Sequence, residues 1–256
     1  MRSVISKKGN NYTVMFGPDI CDPILTERTL KYFEQLMEID AVVYGGEEKG
    51  EDCVYIGDVQ GYINRFGYVD DGKQSKLDPK AGVVDNMVAV LKDDKIVGYI
   101  SYLTLGDELY EEMLHPDINA YLNDPERRDD GIKGTQLKQW TKDGENNLFV
   151  LSIAIDPKYW GSDVIQVLTD GFRDELINKK NQGYDITSIS MDTVSEHGEK
   201  FAKMLRCDIA KDNGEQLILP APESDKSGHP VTVRLCEGKN IDLLLTEGFD
   251  FSYKEN

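Results

Sequence analysis

The residue types best suited to chemistry are thinly spread along this 256-residue chain. Four cysteines (Cys21, Cys53, Cys207, Cys236) and three histidines (His115, His197, His229) stand singly and far apart. Without a CxxC pair or a metal-ligand spacing, the pattern predicts no metal centre and reads as reduced, structural thiols. Carboxylates are concentrated instead. Residues 107–130 hold nine acids (Asp107, Glu108, Glu111, Glu112, Asp117, Asp124, Glu126, Asp129, Asp130) against Arg127 and Arg128, a net −7. The plain reading of such a run is a solvated surface segment. The functional reading is a rim that draws in a cationic substrate. Over the whole chain, 29 basic and 47 acidic residues give −18 and a pI near 4.6. A field of that sign repels phosphate backbones and anionic lipids, so neither nucleic acid nor a membrane is expected as a partner.

The hydrophobic fraction of 39% suffices for a packed core at this length. With 9% aromatic residues, 13 of them Tyr, the composition is not that of a disordered chain. One large domain spanning 1–256 is expected. The N-terminus lacks an apolar core of signal-peptide length, and the longest apolar stretch, 148–155, is far short of a bilayer span. The expected setting is cytoplasmic.

The elements that must position any site follow from periodicity. Tyr12–Phe16 reads as a first strand, and Thr26–Ile39 as a helix with Leu30, Phe33, Leu36 and Met37 at helical spacing. The interval 45–80 reads as loops with one short helix, so the first 80 residues form a helix and loop region. Met87–Leu91 and Lys95–Leu103 are β-rich runs joined by Lys92-Asp93-Asp94, which predicts a tight hairpin. LFVLSIAI at 148–155 is a nearly continuous apolar run ended by Asp156-Pro157, the mark of a strand buried on both faces. Val164–Leu176 is a helix with one apolar face, Ile186–Met191 a strand, and Ser195–Leu205 a second helix with Ser195 as N-cap. Pro220 to Pro230 reads as an exposed loop and Val231–Cys236 as a late strand. Strand, helix, strand and helix between 148 and 205 imply a parallel pair joined by a crossover. The expected fold class is therefore α/β, a mixed, partly antiparallel central sheet flanked by helices.

This order resembles the GCN5-related N-acetyltransferase (GNAT) superfamily. The resemblance lies in VAVLKDDKIVGYISYL, LSIAIDPKYWGSDVIQVLTDGF and ITSISMDTVSEHGEKFAKMLRCDIAKD, a core from 88 to 212. It implies acetyl-CoA as cofactor. The pantetheine arm would pair with the exposed backbone of the central strand (Ile153, Ala154, Ile155), and the pyrophosphate would sit at the following turn and helix N-terminus, an anion site. The matching turn is Trp160, Gly161, Ser162, Asp163, Val164 and Ile165, with Ser195 near the thioester end. The family expects Gln or Arg where Trp160 stands, and small residues where Asp163 and Ile165 stand. A carboxylate on Asp163 facing a phosphate at about 4 Å, with an effective dielectric near 20, repels it by roughly 4 kcal/mol.

Acyl transfer needs a base for an ammonium and an acid for the leaving thiolate. The tyrosine that the family places on the second helix falls at Ala202, and none occurs between Tyr184 and Tyr253. The candidates implied by the resemblance are Ser152 and Asp192 on or just after the two strands flanking the thioester, His197, and Tyr99 or Tyr102. These two tyrosines are three apart in a period-two element, so only one can face the cleft. The leading expectation is an acyl-CoA-dependent N-acyltransferase acting on a small-molecule or peptide amine, cationic in keeping with the acidic rim. The alternative is a non-catalytic GNAT-like binding or regulatory protein that has lost acetyl-CoA binding. An acidic mimic of nucleic acid ranks third, because the charge is gathered in one segment.

Overall fold

The computed structural model describes residues 1–44, 59–78, 86–114, 137–220 and 228–252. Cys53, His115, most of the acidic segment and most of the 220–230 loop lie outside them. Its elements begin with β1 (Arg2–Ile5), β2 (Asn11–Phe16), α1 (Gly17–Ile20), α2 (Glu27–Tyr44), α3 (Val59–Phe66), β3 (Tyr68–Asp70) and β4 (Ser75–Leu77). The hairpin β5 (Met87–Lys92) and β6 (Lys95–Leu105), α4 (Asp107–Met113) and β7 (Glu145–Ile155) follow. After them come α5 (Val164–Asn181), β8 (Asp185–Thr193) and α6 (Glu196–Met204). Four short strands, β9 (Asp208–Ile209), β10 (Lys211–Asp212), β11 (Glu215–Gln216) and β12 (Ile218–Leu219), precede β13 (Val231–Glu237) and α7 (Lys239–Glu247).

The main sheet runs β1-β2-β5-β6-β7-β8-β13-β12, with β9 also on β13. It is mixed and mostly antiparallel. The β7–β8 pair is parallel, as the crossover through α5 requires. The β5–β6 connection is a two-residue turn in which Asp93 and Asp94 both have positive φ, 50° and 61°, beside the Lys92↔Lys95 pair. That is the primed turn whose twist matches the strands.

Contacts divide the chain into two compact units, Met1–Tyr102 with Ser152–Phe172, and Leu103–Leu151 with Arg173–Asn256. In the first, α2 buries Thr29, Phe33, Leu36 and Ile39, spaced as one helical stripe. Phe33 stacks on Phe66 and Tyr62 of α3, with ring centroids 5.1 Å and 5.7 Å apart. These rings join Met15, Ala89 and Tyr99 in one core. The α5 side is as close-packed. A Cβ on Gly171 would lie 2.9 Å from Val14 Cγ1 and 3.2 Å from Val88 Cγ1. Gly171→Ala is expected to cost about 0–2 kcal/mol net, because overpacking of about 1–3 kcal/mol is set against a helix-propensity gain of about 1 kcal/mol. A urea midpoint that rises on this substitution would refute that packing.

In the second unit, Leu217, Leu219, Val231, Val233 and Leu235 form a separate core with Ala210, against which Tyr110 and Leu114 pack. β7 opens on polar residues. Asn146 is buried, its amide donating to the carbonyls of Thr141 and Asp185, both at 2.8 Å, and accepting from Thr141 N at 2.9 Å.

One expectation needs correction. Besides the expected strand at 12–16, which is β2, the first 80 residues carry three further strands, β1, β3 and β4, and are not helix and loop alone. β1 has burial too slight to show alternation, and β3 and β4 are three residues each, too short to show a period. The chain ends on α7, which buries Ile241, Leu244 and Leu245.

Candidate functional site

The first unit brings Tyr99 and Ser152 together. On β6, Tyr99 points toward α2 and α3, and its hydroxyl donates to Asp40 of α2. Tyr62 of α3 donates to the other oxygen of the same carboxylate. Ser152, on β7, donates to the Tyr99 hydroxyl at 3.4 Å, and its oxygen lies 2.7 Å from Ser101 Oγ. Ser152 has a single proton, so Ser101 is the donor in that pair. The result is a one-way chain of hydroxyls, Ser101 to Ser152 to Tyr99, that ends on Asp40. Burial, reinforced by Tyr62, Asp40 and Tyr44, holds the Tyr99 hydroxyl well above its usual pKa, so it stays a donor. Tyr102 faces the other way. Fully buried, it meets the Phe172 ring edge-on at 5.3 Å and takes no part in this network.

The parallel register between β7 and β8 ends at Phe149↔Ser190, although β7 continues to Ile155. Tyr44, in the last turn of α2, donates to the Ile153 carbonyl at 2.7 Å. Ala154 is buried beside Gly98 of β6, where an added Cβ would lie 3.2 Å from the Ala154 carbonyl. Asp156 N continues toward β6, donating to Val97 O at 3.0 Å.

The turn that follows is built by local bonds. Asp156 accepts from Lys158 N at 3.0 Å, and the Trp160 indole donates to Ile155 O at 3.0 Å while its ring is 62% exposed. Gly161 has φ +72°, a conformation that favours glycine, so this residue is required by the turn itself. Ser162 Oγ donates to Tyr159 O at 2.5 Å and accepts from Val164 N at 3.2 Å, at the first residue of α5. No acid lies in the first turn of that 18-residue helix, where Ile165 sits half-buried.

Asp163 departs from expectation. Its carboxylate does not stand free beside the turn. It is buried and accepts from Tyr12 OH at 2.7 Å and from Asn10 Nδ2 at 3.2 Å to each oxygen. Burial alone would raise its pKa, but the Ser6 and Tyr12 hydroxyls and the Asn10 amide hold it well below the usual carboxylate range. In return, burial and this carboxylate push the Tyr12 phenol up to about 12.

In the second unit, Asp192 lies on β8 opposite Val233. Its Oδ1 is buried with no hydrogen-bond partner among the described residues, and burial lifts its pKa to about 6. Ser195 is the N-cap of α6, its Oγ accepting from Gly198 N at 3.1 Å, and His197 is exposed on the first turn. Ala202 is fully buried. Sequence reading missed two features. Asp40 lies one residue beyond the expected end of its helix. Glu199 accepts from buried Arg234 and from Thr193, which leaves it below its usual pKa despite burial.

These elements test the implied cofactor. Past Phe149 β7 has left its register with β8, but the Ile153 and Ile155 carbonyls already accept from Tyr44 and Trp160, and the Ser162 and Val164 amides already donate to Tyr159 O and Ser162 Oγ. Asp163 is turned toward Tyr12 and Asn10, so its charge does not oppose an anion at the turn. The fit to a pantetheine and a pyrophosphate is therefore partial. Ile153 to Ile155 would hold the arm, and Gly161 to Ile165 the phosphates.

The chain has the GNAT fold. It is similar to the loading GNATL domain of CurA from Lyngbya majuscula, with 11% identity, a TM-score of 0.52, and coverage of 89% of this chain and 98% of that one. It is also similar, more distantly, to PH1933 from Pyrococcus horikoshii OT3, at 13% identity, TM-score 0.47, and coverage of 89% and 98%. An agmatine N-acetyltransferase aligns at 12% identity and TM-score 0.42, over 89% of this chain and 100% of that one. No family model and no curated protein matches the sequence. Among the described residues no group of side chains could hold a metal ion, and no helix is long and apolar enough to cross a membrane.

Proposed function

We propose that the protein is an acyl-CoA-dependent N-acyltransferase that moves an acetyl group from acetyl-CoA to a cationic amine, with residues 1–256 acting as one domain. The observation that carries this reading is the end of β7. Pairing with β8 stops at Phe149 while the strand runs on to Ile155, straight into a glycine turn and the N-terminus of α5. In this reading Ser152 and Tyr99 lie beside the acyl group, and Asp192, with a pKa near 6, accepts a proton at neutral pH.

Acetyl-CoA supplies the activated thioester; binding it, orienting it and excluding water fall to the chain. The test is a thermal melt. Acetyl-CoA at about 100 times its dissociation constant adds about 2.7 kcal/mol of stability. A clear upward shift at millimolar acetyl-CoA is expected, and its absence would sink the enzyme reading. The second reading, a non-catalytic GNAT-like binding protein, is favoured by one observation, the buried Ala202 where the family carries its tyrosine. A ligand that stabilises the protein in a melt where acetyl-CoA gives no shift would establish that reading instead.

A further inference from the structure

We propose that Cys207 and Cys236 form a dithiol site that a small-molecule disulfide, such as oxidised glutathione, converts to an intramolecular disulfide. The site lies wholly within the second unit and is independent of the acyltransferase reading.

The register brings the two residues together across about 30 residues of chain. β9 runs antiparallel to β13 with Asp208 opposite Leu235 and Ile209 opposite Arg234, so the next residue along, Cys207, stands opposite Cys236. Hydrogen-bonded and non-hydrogen-bonded pairs alternate along such a ladder. Ala210 N donates to Val233 O at 2.9 Å, which makes that pair the bonded kind and Cys207 with Cys236, three pairs further, the other kind. Cα atoms in a non-hydrogen-bonded pair are about 4.5 Å apart, within the span of about 4.4–6.8 Å that a disulfide bridges. Residues directly opposite also share a face of the sheet, so the two sulfurs point to the same side.

The thiols are already in contact. Burial, and after it the hydrogen bond between the two thiols, holds the Cys207 thiol well above its usual pKa. Their backbones are set by other bonds. Cys207 N donates to Ala202 O at 2.9 Å at the exit of α6, and Cys236 pairs with Ile189 of β8. Closing the bridge therefore asks for side-chain rotation and no strand movement. It would fasten the exit of α6 to β13, the strand that sets Val233 against Asp192.

The chemistry is thiol–disulfide exchange, in which the thiolate attacks. Cys207 is 5% exposed and Cys236 not at all, so Cys207 reacts first. Its thiolate attacks one sulfur of oxidised glutathione, the S–S bond of the reagent breaks, and one glutathione leaves as its thiol. The Cys236 thiolate then attacks the Cys207 sulfur and expels the second glutathione. The protein gives up two protons and two electrons, and one small disulfide becomes two thiols. A raised pKa keeps the thiolate scarce, so the folded protein reacts slowly and a refolding chain, its thiols exposed, reacts fast.

The test is refolding of the full chain from urea in a buffer of oxidised and reduced glutathione, followed by alkylation of free thiols and peptide mass mapping. The expected product has Cys207 joined to Cys236, is lighter by two hydrogens, and keeps the circular dichroism of the reduced protein. The bridge closes a loop of about 30 residues, so this product should melt about 5–15 °C above the reduced form. Cys236→Ser should stop at a glutathione adduct on Cys207 and show no such rise. Three results each overturn the site: both thiols alkylated in the refolded wild type, either one joined to Cys21 or Cys53, or a bridged protein that melts no higher than the reduced form. The wild-type map decides the matter even where Cys236→Ser fails to fold.

Discussion

Asp192→Asn is expected to make the protein more stable at neutral pH and less active. Asp192 is half-buried on β8, and its buried Oδ1 has no partner among the described residues. Burial lifts its pKa from 3.8 to about 6. Between these values the folded state binds more protons than the unfolded one, so stability falls as pH rises from about 4 to about 6. Above pH 6 the full cost is present. A shift of about two pKa units corresponds to about 3 kcal/mol. Asparagine carries no charge and removes that cost. The variant should therefore exceed wild type by about 2–3 kcal/mol in urea unfolding at pH 7.5 and match it near pH 4. An equal advantage at both pH values would show that the gain has another origin.

In the proposed reaction the same substitution takes away the proton acceptor. General-base assistance is typically worth about 10²- to 10⁴-fold, and kcat/KM for acetyl transfer should fall within that range. In wild type, activity should decline as pH drops below about 6, where Asp192 becomes protonated. A residue that destabilises the fold yet is needed for the rate is the signature of a functional position. If the variant is stabilised but turns over as fast as wild type, Asp192 is only a strained core residue and the base lies elsewhere.

Much of the second half of the chain was legible in the sequence. The apolar run at 148–155 and the one-sided helix after Val164 report burial directly, since each residue's surroundings repeat along the element. Ser195 followed the same logic, because an N-cap bonds only three residues ahead. The site resisted for a different reason. Asp40, Tyr62, Tyr99 and Ser152 meet across separations of 22 to 59 residues, and periodicity carries no information about such partners. A helix read as ending at Ile39 left Asp40 outside it, and with it the last-turn tyrosine, Tyr44, that reaches Ile153. The opposed faces of Tyr99 and Tyr102 were readable from their spacing; which of them meets a carboxylate was not.

Asp163 shows how a partner far away in sequence changes a prediction. Its position, one residue before α5, suggested a charge that repels an anionic ligand. The carboxylate instead spends its lone pairs on Asn10 and Tyr12, across 153 and 151 residues of chain. It therefore anchors the N-terminal hairpin to the turn after β7. Asp163→Ala would leave a buried phenol and an amide without their acceptor. Hydrogen bonds to a charged group contribute about 1.5–3 kcal/mol each, so the loss should be about 3–5 kcal/mol. The carboxylate's pKa is depressed in the fold, so its contribution is complete above about pH 4, the unfolded value, and fades as pH falls toward the lower folded one. The gap between wild type and variant should narrow accordingly in acid. The two views of this residue separate on one titration of acetyl-CoA against Asp163→Ser. If the carboxylate repelled a phosphate by roughly 4 kcal/mol, the variant would bind more than a hundredfold tighter. A carboxylate committed to β2 predicts no such gain: affinity should be unchanged or weaker while the melting temperature drops, and a hundredfold gain would mean that the bonds to Asn10 and Tyr12 do not hold the charge away from the ligand.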